Sequence, residues 1–192
     1  MSWTDEQLIH AVQGGDLDSL GVLVTRWEQP LFRFAFRLLR THEDARDVCQ
    51  ETFLRVLHNS ERFRDGARVS TWLYQIALNL CRDQVRKRRR WGLLVDTSRD
   101  TRTAPAGLAF ADSNADPSQE LAIDEQRRAV GRALSEIPPE QREVLVLKEF
   151  EGLKFREISE ILGCPESTVK SRMYYGLAGL KVALARQGVH GA

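Results

Sequence analysis

Residues 155–184 have the sequence FREISEILGCPESTVKSRMYYGLAGLKVAL, and this stretch decides how the C-terminal part of the chain folds. Its first segment carries apolar residues at i, i+3 and i+7, which share one side of an α-helix. These residues are Phe155, Ile158 and Leu162. Gly163 ends that helix, and Pro165 suits the first turn of another, where its missing N–H costs nothing. The pattern predicts a helix-turn-helix.

The second helix of this motif has one apolar face and one polar, aromatic face. The apolar positions are Val169, Met173, Leu177, Leu180 and Leu184, and the opposite positions are Lys170, Ser171, Tyr174 and Tyr175. A lysine and a hydroxyl can reach phosphates or base edges, and two adjacent tyrosines are unusual on an idle solvated face. Two interpretations stay open here: a helix that enters the DNA major groove, or part of an ordinary helical bundle.

Composition limits the class of protein. The 192 residues are 42% hydrophobic and 29% charged, and this length allows one large domain or two small ones. No apolar run approaches the roughly 18 residues that span a membrane, and the N-terminus lacks a secretory pattern. We therefore expect a cytoplasmic protein without membrane insertion.

No motif for catalysis or metal binding is present. Cys49, Cys81 and Cys164 lie far apart without a C-x-x-C pair, and the four histidines are scattered. We interpret the cysteines as small buried side chains. Since phosphate-cradling glycine motifs, G-x-S-x-G and H-E-x-x-H are also lacking, we predict no catalytic residue, metal or cofactor.

The first 60 residues predict three helices. A capping box of Thr4 and Gln7 begins the first, and Gly14 ends it. The second runs from about residue 18 to 40 and the third from 43 to about 59. The third helix turns inward the residues Ala45, Val48, Thr52 and Val56.

The opposite side of the third helix is acidic and amide-bearing, with an apolar residue among the polar ones. It comprises Asp47, Gln50, Glu51 and Leu54. A solvated face and a protein-binding surface both fit this composition.

A turn-rich loop over residues 63–70 leads to a fourth helix, with Ser70 or Thr71 predicted as its cap. The helix ends in the basic cluster Arg82, Arg86, Lys87, Arg88, Arg89 and Arg90. Arginines near a helix C-terminus favour the helix dipole, so a structural role is available. Six positive charges in nine positions exceed that need and predict contact with a polyanion, although the net charge of the whole chain is only +1.

Helical periodicity disappears between residues 92 and 120, where small and polar residues dominate, and this composition predicts a flexible linker. Helices are predicted again over residues 121–137 and 139–152, ahead of the helix-turn-helix. The predicted fold is all-α, with two small helical domains, 1–91 and 121–186, joined by the linker.

Five motifs, in order, resemble those of bacterial sigma factors of the extracytoplasmic function (ECF) group. They are residues 47–56 (DVCQETFLRV), 70–79 (STWLYQIALN), 137–145 (IPPEQREVL), 157–165 (EISEILGCP) and 167–172 (STVKSR). The resemblance covers nearly everything outside 92–120. It implies a region 2 domain before the linker and a region 4 domain after it.

The resemblance also implies roles for individual residues. The helix at residues 47–56 would dock on the clamp helices of the largest subunit of RNA polymerase through Asp47, Gln50, Glu51, Leu54 and Arg55. The loop before the fourth helix and that helix would separate the DNA strands at the −10 element and bind it. The residues concerned are Arg64, Arg68, Ser70, Asn79, Arg82, Arg86, Lys87, Arg88, Arg89 and Arg90. The −35 element would be contacted by Ser167, Thr168, Lys170, Ser171, Arg172, Tyr174 and Tyr175.

One departure from the family pattern concerns the −35 contacts. Relatives often carry arginine where this chain has Tyr175 and Leu177, and tyrosine cannot make the bidentate contact of arginine to guanine. We therefore expect a −35 element that differs from the usual one, or looser binding to it.

The expected partners are RNA polymerase core, promoter DNA and an anti-sigma protein, the last implied only by the resemblance. The alternative is a stand-alone helix-turn-helix regulator. Such a protein usually dimerises on half-sites and would not need the acidic face of the third helix.

Overall fold

The computed structural model describes residues 3–90 and 117–188. In the second of these ranges, side chains are described from residue 125 onward. Within these residues every regular element is helical, which confirms the all-α prediction. The helices are α1 (Asp5–Gln13), α2 (Leu17–Leu39), α3 (His42–Asn59), α4 (Val69–Arg90), α5 (Pro117–Glu136), α6 (Pro139–Leu145), α7 (Phe155–Leu162) and α8 (Glu166–Arg186). A 3₁₀ turn, Ser60–Arg62, follows α3, and a π-helical segment, Val146–Phe150, continues α6.

Local capping signals set several helix ends as predicted. The N–H of Gln7 donates to Thr4 Oγ1 at 3.3 Å, and the N–H of Thr4 donates to Gln7 Oε1 at 2.9 Å, which completes the capping box of α1. Gly14 ends α1, and Gly163 ends α7 in the left-handed conformation with φ of 63°. Since α8 begins just after Pro165, the helix-turn-helix is confirmed as α7, a tight turn and α8.

Helices α1 to α4 form one bundle, which is organised around α2. The α2 side chains Leu23, Leu31 and Phe34 are fully buried. The ring of Phe34 meets that of Tyr74 on α4 edge-on, with 5.1 Å between centroids. All four residues predicted to face inward from α3 are buried, so this helix leaves its other side for solvent or a partner.

Helices α5 to α8 form the second unit, in which α5, α6 and α7 all contact α8. Ile158 of α7 and Val169 and Met173 of α8 are buried, which fixes the helix-turn-helix on its own small core. Gly176 lies where α8 crosses α6. A Cβ at this position would be 3.1 Å from Cδ1 of Leu145, so the absence of a side chain permits the close approach.

One predicted core position of α8 is wrong. Leu177 is 46% exposed, whereas Gly176 is buried in its place. The packed stripe steps from Met173 by three residues to Gly176 rather than by four, since α6 approaches α8 at the glycine.

The predicted cap of α4 is also wrong. The helix begins at Val69, so Ser70 and Thr71 lie inside its first turn. Val69 is fully buried, and its N–H donates to the Glu6 carboxylate of α1 at 3.3 Å. A side chain distant in sequence therefore satisfies the first backbone donor of the helix.

The predicted linker, residues 92–120, lies outside the described residues except for its last four positions, where α5 has already begun at Pro117. The units on either side of it pack against each other. Helix α4 contacts α7, and α2 contacts both α5 and the π-helical segment.

The cysteines fit the expected structural role only in part. Cys49 and Cys81 are buried, while Cys164 in the turn before α8 is half-buried. Burial raises the pKa of the Cys49 thiol to about 11 and raises the pKa of Cys81 still further. Both buried thiols therefore stay protonated at neutral pH and are poor nucleophiles.

The close contact at Gly176 gives a stability prediction. Gly176→Val forces a side chain against Leu145 and should lower the free energy of unfolding by about 1 to 3 kcal/mol, as overpacking does. Gly21→Val is the matched control, because a Cβ there meets no atom within 4 Å. Urea unfolding followed by circular dichroism measures both; equal midpoints would show that α8 shifts away from α6 at little cost.

Candidate nucleic-acid and protein interfaces

The exposed side of α8 carries the residues predicted to read duplex DNA. Tyr174 and Tyr175 are 71% and 61% exposed, and their rings meet edge-on at 5.5 Å between centroids. Lys170 is exposed one turn earlier, 3.9 Å from the Glu166 carboxylate. A helix that is anchored below by Val169 and projects these groups outward fits the width of a major groove.

Not every residue predicted for the −35 contact is equally available. Ser167 and Ser171 are exposed, and the Ser171 hydroxyl donates to the carbonyl of Thr168 at 2.9 Å. Thr168 and Arg172 are half-buried, and one Arg172 nitrogen lies 3.9 Å from Cys164 Sγ. Arg172 therefore lies partly against the turn of the motif.

A second candidate surface is the loop that precedes α4 together with the exposed side of that helix. Phe63 is buried and packs on Trp72, with 5.4 Å between ring centroids, which anchors the loop. Arg64, Arg68 and Asn79 are exposed, as a role in binding a single strand requires, while Ser70 is half-buried. An anchored loop that presents exposed guanidinium groups suits the binding of phosphates.

The basic cluster at the end of α4 is divided by its contacts. Lys87, Arg89 and Arg90 are exposed. Arg88 instead pairs with Asp44 of α3 and donates to Thr41 Oγ1 at 2.7 Å, and burial lowers the pKa of its guanidinium.

Two further members of the cluster also have acidic partners. Arg86 pairs with Asp83 one turn away on the same helix. Arg82 holds Glu143 of α6 through two bonds of 2.9 and 2.6 Å. The cluster is therefore part structural and part open to a polyanion.

The acidic side of α3 forms one exposed surface, as predicted. Asp47, Gln50 and Leu54 are exposed, and Leu54 keeps 50% of its surface accessible. Glu51 is half-exposed and accepts a bond of 3.0 Å from Arg55 one turn later. An exposed leucine between carboxylates is compatible with a protein-binding patch, in which it would supply apolar contact area.

Three glutamates of the second unit contact the first, and sequence reasoning missed all of them. Glu143 binds Arg82, Glu157 binds Arg68 at 2.9 Å, and Glu151 accepts from Tyr74 Oη at 2.5 Å. Each pair is separated by more than 60 residues in sequence, so helical periodicity carries no signal for it.

Of these three glutamates, Glu151 has the most buried side chain, with 7% of its surface exposed. It also lies 3.2 Å from Arg37, whose guanidinium stacks over the Phe150 ring at 4.4 Å from its centroid. Burial raises the pKa of the Glu151 carboxyl, while the Tyr74 hydroxyl and the Arg37 charge oppose that rise. Burial and the neighbouring carboxylate also raise the pKa of Tyr74, so its phenol remains the donor.

Comparison with known families agrees with the two-unit organisation. The chain matches Sigma-70 region 2 over residues 23–91 and Sigma-70 region 4 over residues 127–178. The fold and its exposed surfaces therefore define a sigma factor, the class of protein that directs transcription initiation.

Whole-chain relatives define the group more narrowly. The chain is 30% identical to the RNA polymerase sigma-H factor of Pseudomonas aeruginosa, covering 94% of this chain and 93% of the relative. It is 30% identical to the ECF sigma factor SigW of Bacillus subtilis (92% and 94% covered), and 31% identical to the ECF sigma-E factor of Escherichia coli (89% of both). The chain belongs to the ECF sigma factors.

Solved structures agree with this assignment. CnrH, solved in complex with the cytosolic domain of CnrY, superimposes with a TM-score of 0.68 at 25% identity, over 95% of this chain and 97% of CnrH. RpoE of Bartonella quintana, solved with the anti-sigma factor NepR, shares the fold with a TM-score of 0.66 at 24% identity, over 86% and 96%. Among the described helices of the present chain, none is both long and apolar enough to cross a bilayer.

The division of the basic cluster gives a prediction. Arg88→Gln removes the half-buried pair with Asp44 and should lower the free energy of unfolding by about 1 kcal/mol. Arg89 is the next residue and is exposed, so Arg89→Gln should change the free energy of unfolding by less than about 0.5 kcal/mol. Thermal unfolding at low and high salt measures both; an equal loss in the two variants would argue against a structural role specific to Arg88.

Proposed function

We propose that the acidic side of α3 docks this sigma factor on the clamp helices of the RNA polymerase largest subunit. The contact residues are Asp47, Gln50, Glu51, Leu54 and Arg55. Their exposure on a single helix face supports this role, and so does the exposed leucine in the middle, which supplies apolar area for an interface. Because polymerase supplies the phosphodiester chemistry, we assign no catalytic residue to this chain and expect it to act in the cytoplasm.

For the −10 element, we propose that the loop and exposed side of α4 bind the separated strand. Asn79 can bond a base edge through its amide, and Arg64 and Arg68 neutralise phosphates before the helix. Phosphate contact continues along α4 through Arg82, Lys87, Arg89 and Arg90. Arg88 supports this surface through its pair with Asp44.

For the −35 element, we propose that α8 lies in the major groove and contacts bases with Lys170, Ser171, Tyr174 and Tyr175. Phosphates are held near the N-terminus of the helix, where Ser167 and Thr168 lie. Two exposed tyrosine rings offer apolar contact to thymine methyl groups, and their hydroxyls can bond base edges. We expect an element richer in A·T pairs than an arginine-bearing helix selects.

We also propose that a partner protein of the anti-sigma type binds this chain and keeps it from polymerase. The family resemblance implies such a partner, and the complex of the similar CnrH with the cytosolic domain of CnrY supports it.

Run-off transcription tests the proposed function. Core polymerase with this chain should yield specific transcripts from a genomic fragment library, and Asp47→Ala/Glu51→Ala should lower them more than tenfold, because truncated interface anchors cost about 2 kcal/mol or more. Glu149→Ala/Glu160→Ala removes two exposed carboxylates of the other domain and serves as the matched control. A chain that shifts specific duplex DNA alone, while core polymerase gains no initiation from it, would indicate a stand-alone regulator instead.

A separate experiment tests the tyrosines. Tyr175→Ala should reduce use of the selected −35 element by about 3- to 10-fold, since a single neutral hydrogen bond contributes about 0.5 to 1.5 kcal/mol. Val182→Ala changes another exposed position of α8 and should have no effect. Transcription from a library with a randomised −35 region measures the preference, and an unchanged profile for Tyr175→Ala would remove this residue from the readout.

A further inference from the structure

The two domains are joined by ion pairs that use arginines of the proposed −10 surface. Arg82 of α4 holds Glu143 of α6 through two nitrogen–oxygen bonds of 2.9 and 2.6 Å. Arg68, at the start of α4, lies 2.9 Å from the Glu157 carboxylate of α7. We call these two contacts the interdomain ion pairs, and the arrangement that contains them the closed arrangement.

A carboxylate held in this way competes with a DNA phosphate for the same donors. The planar guanidinium group presents its N–H donors as a fork that fits either a carboxylate or a phosphate. Because Nε and Nη2 of Arg82 both bind Glu143, the edge of the guanidinium that these two nitrogens form is closed to a phosphate in this arrangement. Hydrogen bonding to Glu143 also raises the pKa of Arg82, as expected for a fully charged pair.

The acidic partners are more buried than the arginines. Side-chain exposure is 9% for Glu143 and 12% for Glu157, against 35% for Arg82 and 64% for Arg68. The two carboxylates are therefore largely shielded from solvent in the closed arrangement, where they face Arg82 and Arg68.

The rest of the interface is also polar enough to open. Glu151 binds Tyr74 and Arg37 of the first domain, so a third carboxylate crosses the same boundary. When the domains separate, all three glutamates return to water with their charges solvated. Interfaces between domains that contain paired charges behave like transient protein interfaces rather than like a continuous core.

We propose that Glu143 and Glu157 act as an internal competitor of DNA, occupying Arg82 and Arg68 in the closed arrangement until the domains separate. This inference rests on the proposed −10 role of those arginines. Whatever binds the open form better, such as polymerase or promoter DNA, shifts the population toward it. The apparent affinity for single-stranded DNA equals the affinity of the open form multiplied by the fraction of molecules that are open.

The test uses the full chain and the variant Glu143→Gln/Glu157→Gln. Glutamine has the same shape, and at position 157 it can still accept the bond of 2.7 Å from the Lys154 N–H that caps α7. The matched control, Glu149→Gln/Glu160→Gln, makes the same change in net charge at two exposed positions of the same domain. Circular dichroism checks that both variants fold.

Two measurements are made on each protein: the radius of gyration by small-angle X-ray scattering, and the affinity for a short fluorescein-labelled single-stranded DNA of random sequence at low salt. We expect the test variant to be more expanded than wild type and to bind the DNA about tenfold more tightly, with the control close to wild type. The swapped pair Arg82→Glu/Glu143→Arg should restore the compact radius that Arg82→Glu alone loses.

Several results overturn the inference. An unchanged radius and affinity in the test variant would show that the ion pairs do not hold the closed arrangement. Expansion without tighter DNA binding would show that the carboxylates do not compete with DNA. An equal gain in the control would assign the effect to net charge.

The proposed function is tested separately. Arg68→Gln/Arg82→Gln in run-off transcription with core polymerase should impair opening at the −10 element. Unaffected transcription would defeat the −10 role of these arginines, even if scattering showed the ion pairs to be real.

Discussion

The bidentate pair between Arg82 and Glu143 is the contact that most directly limits the accessibility of the proposed −10 surface. It joins α6 of region 4 to α4 of region 2, and the pair of Arg68 with Glu157 adds a contact to α7. Since Glu143 binds the edge of the Arg82 guanidinium formed by Nε and Nη2, the packing of the domains determines how much of this arginine is available to DNA. The three surfaces of the protein are therefore not equally exposed in this arrangement.

The proposed polymerase-docking surface and the exposed side of α8 are open to solvent, while part of the proposed −10 surface is covered. Asp47 and Leu54 face outward on α3, and Tyr174 and Tyr175 face outward on α8. If the α3 surface docks on polymerase as proposed, that contact does not require prior opening of the domains, whereas full engagement of Arg82 with a separated strand does. The net charge of the chain is only +1, which gives little affinity for DNA by itself. When polymerase binds both domains, their contacts with the promoter are linked and reinforce each other.

Much of each domain is encoded locally. The capping box of α1, the glycine that ends α7 and the inward stripe of α3 depend on residues within one or two helical turns, and all are as predicted. Predictions failed where a distant residue intervened. Leu177 is exposed because α6 approaches α8 at Gly176, and α4 begins at Val69, whose backbone N–H donates to Glu6 of α1.

The sequence by itself determined the helical fold, the helix-turn-helix, the acidic face of α3 and the family, because periodicity, capping and ordered motifs act over short separations. Only the tertiary structure decided which members of the basic cluster are engaged. Arg88 pairs with Asp44, Arg82 pairs with Glu143, and Arg89 is exposed, although these three arginines lie within a stretch of eight residues. The physical reason is that the partner of a charged side chain is chosen by packing in three dimensions, and no pattern along the chain records it.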